Sequence, residues 1–108
     1  MIKITDSSYT DFISNNRCAV IGLDAVWNTA ADQFMHSLVE AEKAIGGSIA
    51  FAIVDVDRCP NIVAQLGILN VPTIVYFRGG VEILKTVGRP RDLKENIAAL
   101  LNEPTGKP

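Results

Sequence analysis

The side chains best suited to covalent chemistry are few: the thiols of Cys18 and Cys59 and the single imidazole of His36. Two separated cysteines and one histidine fall short of the ligand set of a zinc or iron–sulfur centre, so neither a metal nor a cofactor is expected. A lone histidine at a helical position is ordinarily solvated or packed, and no catalytic role is assigned to His36. Cys59 precedes Pro60 at a helix start, where backbone N–H groups lower a thiol pKa, but Asp55 and Asp57 nearby act in the opposite sense. It is kept as a possible reactive thiol. The remaining candidate is the stretch Ala25-Val26-Trp27-Asn28-Thr29-Ala30-Ala31-Asp32, which joins an apolar run to an amphipathic segment. A loop where a strand hands over to a long helix is where polar chemistry gathers.

The chain has 108 residues, 48% apolar and 20% charged, the balance of one globular domain with a substantial core. A domain over residues 1–102 is expected, followed by a polar, flexible tail over residues 103–108. Apolar runs such as Ile49 to Val54 are too short to span a bilayer, and Met1-Ile2-Lys3-Ile4 lacks the layout of a secretory signal. A cytoplasmic protein is expected. Ten basic against twelve acidic residues leave no positive field to hold a nucleic-acid backbone.

The elements that must position these residues follow from periodicity. Ile2 and Ile4 alternate with Lys3 and Thr5 as in a short edge strand, and Asp6-Ser7-Ser8 offers N-cap oxygens to a helix reaching Asn15. Arg17 to Asp24, apolar from Cys18 to Leu23, reads as a strand buried on both faces at the centre of the sheet. From Thr29 to Ile45 the apolar residues Phe34, Met35, Leu38, Val39, Ala41 and Ile45 keep a helical period, with Asn28 as a good N-cap and Gly46-Gly47 as the stop. Ile49 to Val54 is a second buried strand, and Pro60 opens a short helix to Leu66. Thr73 to Phe77 and Val81 to Val87 form a hairpin through Gly79-Gly80, and Pro90 opens the final helix. The alternation calls for an α/β fold with parallel crossovers.

Trp27, Val54-Asp55-Val56-Asp57, Gly67-Ile68, Val71-Pro72-Thr73, Phe77-Arg78-Gly79-Gly80 and Val87-Gly88 together resemble the thioredoxin family, over nearly the whole chain. The resemblance implies the thioredoxin fold, a central mixed sheet flanked by helices on both faces. It implies that Pro72 is cis and borders a peptide-binding groove, built here from Trp27, Val56, Val71, Pro72, Val87 and Gly88. It also puts Cys18 at the sheet end away from that groove, so a Cys18–Cys59 disulfide, needing Cα atoms about 6 Å apart, is not expected.

At the two positions where this family carries its Cys-x-x-Cys thiols stand Asn28 and Ala31. Asn28 is no nucleophile of that kind, and Ala31 leaves no second thiol to resolve a mixed disulfide. The buried acid and neighbouring lysine that many members carry are matched by Gly22 and Ile53. The lysine after the motif is matched by Asp32, and the tryptophan before it by Asp24. The expectation is a redox-inactive member of the fold that binds a protein or extended peptide, not a disulfide oxidoreductase. The alternatives are a single-thiol redox protein acting through Cys59 and an active-site variant of a thioredoxin disulfide oxidoreductase.

Overall fold

The computed structural model describes residues 1–102. The chain runs β1 (Ile2–Lys3), α1 (Tyr9–Ser14), β2 (Cys18–Asp24), α2 (Ala31–Ile45), β3 (Ala50–Asp55), α3 (Pro60–Leu66), β4 (Thr73–Arg78), β5 (Val81–Val87), α4 (Leu93–Asn102). The strands form one sheet in the order β1-β3-β2-β4-β5. β1, β3 and β2 are parallel, while β4 runs antiparallel to β2 and β5 antiparallel to β4. This is the expected mixed sheet, with β2 in the middle and all seven of its residues buried.

Alternation along β2 divides the core in two. Ala19, Ile21 and Leu23 face Tyr9 and Phe12 of α1 and Ile62 and Leu66 of α3, whereas Cys18 and Val20 face Phe34 and Leu38 of α2 and Leu93, Ile97 and Leu100 of α4. Helices therefore cover both faces, as a strand buried at every position requires. Burying each such aliphatic side chain is worth roughly 1.5–3 kcal/mol. The β4–β5 hairpin turns through Gly79 at φ 62° and Gly80 at φ 78°, a conformation that side chains rarely adopt and glycine adopts freely.

Three local expectations are corrected. The Asp6-Ser7-Ser8 oxygens do not cap α1 with a side-chain bond. Asp6 reaches instead across the molecule, its Oδ2 accepting from Asn61 N–H at 3.1 Å and its Oδ1 from Ile62 N–H at 2.9 Å. The carboxylate thus satisfies unpaired donors at the start of α3, which sequence spacing cannot reveal. α2 begins at Ala31, not Thr29, with Ala30 at its N-cap, because Asn28 is engaged elsewhere. α4 begins at Leu93, not Pro90: the Asp92 carbonyl takes the first helical bond, from Asn96 N–H at 2.9 Å. The tail expected over residues 103–108 lies outside the described residues. Among those described, no helix is long and apolar enough to cross a membrane.

Candidate functional site

The C-terminal ends of β2 and β3, the turn before α2 and the loop between α3 and β4 meet at one end of the sheet. The Ala25–Asn28 turn is closed by Asn28 N–H donating to Ala25 O at 3.1 Å. Asp24, at the end of β2, is buried at 8% exposure. Its Oδ1 accepts from Ala25 N–H at 2.8 Å and from Asn28 Nδ2 at 2.9 Å. Asn28 Oδ1 in turn accepts from Ala30 N–H at 3.2 Å, and the Asn28 carbonyl from Ala31 N–H at 3.1 Å. The expected N-cap is corrected accordingly. A buried carboxylate four residues earlier holds the Asn28 amide in the turn, two residues before the helix cap.

Trp27 is 65% exposed, so it is not a core residue, and its indole N–H donates to Asp57 Oδ2 at 2.9 Å. That bond fixes a broad apolar face toward solvent. Trp27, Val56 and Val71 line one groove of about 430 Å³ together with Asp57, Leu69 and Asn70. Leu69, 90% exposed, was missed by sequence reasoning, although an apolar residue in a loop between a helix and a strand was the available signal.

The Val71–Pro72 peptide is cis, and Pro72 borders an adjoining hollow with Ala30, Gln33, Phe34 and Arg89. Val87 and Gly88 are tied to the same strand end. Val87 pairs with Thr73, and Gly88 N–H donates to Pro72 O at 2.8 Å. Both line a third, more polar hollow with Arg89 and Arg91. The six groove residues thus share one end of the sheet, but only Trp27, Val56 and Val71 form a common wall.

The thiols are elsewhere. Both are free, Cys18 on the α2/α4 face at 3% exposure and Cys59 on the α1/α3 face at 1%. Cys59 Sγ points at the Ile4 carbonyl, 3.9 Å away. Burial, then the charges of Asp6 and Asp55, push its pKa up despite a backbone bond that favours the thiolate. A reactive thiol needs solvent reach and a lowered pKa, and Cys59 as placed is buried with its pKa pushed up. Its place at a helix start suggested activation, but the side chain turns into the core. His36 is exposed on α2, as is Asp32 in its first turn.

Gly22 and Ile53 pair in register across β2 and β3. A Cβ at Gly22 would collide with Leu38 Cδ1 and press on Phe34 at 3.1 Å and Ile53 at 3.2 Å. The space next to the motif positions is filled by hydrocarbon. The nearest buried acid is Asp24, two residues along the same strand, another residue whose structural part the sequence did not disclose.

The family model described as thioredoxin matches residues 1–103. The chain is 25% identical over 102 residues to a thioredoxin of Alicyclobacillus acidocaldarius, covering 93% of this chain and 97% of that protein. It is 28% identical over 103 residues to a thioredoxin of Mycobacterium tuberculosis, covering 94% and 84% respectively. Among solved structures, the oxidized mitochondrial thioredoxin 3 of Saccharomyces cerevisiae superposes with a TM-score of 0.86 at 26% identity, covering 93% of this chain and 95% of that one.

Proposed function

The chain belongs to the thioredoxin family, and from that premise we propose that it works without two-cysteine disulfide exchange, as a module that binds an extended protein segment beside Trp27. The observation carrying this reading is the separation of thiols from groove. Asn28 and Ala31 stand where exchange would need cysteines, and the two thiols present are buried on opposite faces of the sheet. Trp27 and Leu69, beside the half-buried Val71, nevertheless present an apolar wall to solvent. A segment laid along it pairs with the Val71 backbone and sets an apolar side chain against the indole. A cytoplasmic setting is in keeping with two unpaired thiols.

Insulin reduction by dithiothreitol tests the chemical half of the proposal. The protein is expected to leave the rate at that of dithiothreitol alone. An acceleration abolished by Cys59→Ser would overturn it in favour of single-thiol chemistry.

A further inference from the structure

Beyond the Val71–Pro72 peptide the surface changes character. Val71 belongs to the apolar wall beside Trp27, where the acid Asp57 already accepts from the indole N–H. Pro72 borders the next hollow, of about 600 Å³, whose lining includes Gln33, Phe34, Ser37 and Arg89 and no acidic side chain. Arg89 also lines the adjoining hollow of about 320 Å³, together with Arg91 and a single acid, Asp92. One arginine thus walls both hollows.

The backbone on either side fixes where Arg89 sits. Gly88 N–H donates to Pro72 O at 2.8 Å, and Pro90 confines the residue before it to extended conformations. Arg89 and Arg91 are both exposed, and neither forms an ion pair or hydrogen bond among the described residues, with Asp92 or any other. Elsewhere the chain sets cations against an acid three residues away, as Lys43 against Glu40 and Lys85 against Glu82. Two unpaired guanidinium groups against one acid make this end of the sheet locally positive, although the whole chain carries a net charge of -2.

Because Val71 and Pro72 are consecutive, an extended segment lying on the Trp27 wall and crossing their peptide carries its next side chains into the hollow that Arg89 walls. A guanidinium fork matches a carboxylate with two parallel N–H donors. We propose that the partner of this groove is an acidic segment: an apolar side chain lies on the indole, and aspartate or glutamate side chains across Pro72 are received by Arg89 and Arg91. This rests on the groove reading above and adds to it the chemical class of the partner. Arg89 determines the specificity, since it faces both hollows, and Arg91 extends the site.

The test uses the chain's one tryptophan, Trp27, as reporter. Its fluorescence is titrated with acetylated and amidated peptides X-X-Val-Leu-Val-X-X, in which X is Glu, Gln, Lys or phosphoserine; the symmetric flanks bring X to Arg89 whichever way the segment runs. The Glu peptide is expected to bind roughly three- to tenfold more tightly than the Gln peptide at low salt, as two exposed ion pairs imply, and the Lys peptide more weakly than either. The preference should shrink as salt rises. Arg89→Gln combined with Arg91→Gln should abolish it, whereas Lys43→Gln, in the last turn of α2, should keep it. Equal binding of the Glu, Gln and Lys peptides, or a preference that the double arginine variant retains, would overturn the proposal and leave the groove standing. Phosphoserine bound more than roughly tenfold above Glu would overturn it in favour of a phosphorylated partner. A Trp27 signal unmoved by all of the peptides would overturn the groove reading and this proposal together.

Discussion

Asn28 Nδ2 donates to Asp24 Oδ1 at 2.9 Å, so the residue standing where the family has its attacking thiol is bound to a buried carboxylate. The pair closes the turn that presents Trp27, and each partner needs the other. Asn28→Ala removes the bond to Asp24 and the bond to Ala30 N–H and is expected to cost roughly 1–3 kcal/mol. Asn28→Asp should cost at least as much, since it replaces the amide donor with a group that places a second carboxyl against Asp24 Oδ1. Urea unfolding of both variants checks this, and a parent-like midpoint in either would contradict it.

Gly22 is hemmed in by Leu38, Phe34 and Ile53. Gly22→Asp should therefore destabilise by at least roughly 1–3 kcal/mol, through overpacking and the burial of a polar group without a partner. Chemical denaturation measures it; a variant as stable as the parent would show that the helix can move aside.

Much of this fold could be read in the sequence because its signals are local. The unbroken apolar run of β2, the period of α2 and the Gly79-Gly80 turn each constrain their own segment. The site was less legible, since its parts meet through tertiary contacts. Asp24 and Asp57 gave no pattern marking them as partners of Asn28 and Trp27. Asp6 looked like a cap for the helix that follows it, but it caps α3, 55 residues on. Cys59 had the right position for an activated thiol and the wrong orientation.

The Asp6 cap offers a direct handle on that thiol. Asp6→Ala strips two acceptors from the start of α3 and should cost roughly 1–2 kcal/mol. By loosening the turn at Cys59, it should speed iodoacetamide labelling of that residue under native conditions. Mass spectrometry of labelled peptides reads the rate; unchanged labelling despite lost stability would show that the turn opens only on global unfolding.

Burial raises the pKa of Cys59, Tyr9 and Tyr76 in the folded chain. Each group holds its proton more tightly folded than unfolded, so its contribution is complete below its unfolded pKa and is lost as pH rises through the folded value. Stability should fall above the ordinary values of 9.0 for the thiol and 10.0 for the phenols. Cys59→Ala should flatten the earlier part of that decline. Urea midpoints measured from pH 8 to 11 test the sign, and a rising midpoint would refute it.

The central claim is that the groove beside Trp27 binds without a thiol. Peptides selected from a displayed library on the immobilised protein, with the Trp27→Ala variant as counter-selection, supply the probe. Titrated into ¹⁵N-labelled protein, they are predicted to shift the amides of Trp27, Leu69 and Val71. They should bind equally well with and without dithiothreitol, tolerate Cys59→Ser, and lose roughly 1–3 kcal/mol of affinity in Trp27→Ala. Peptides that leave those amides unmoved, or that dithiothreitol or Cys59→Ser releases, would contradict the account.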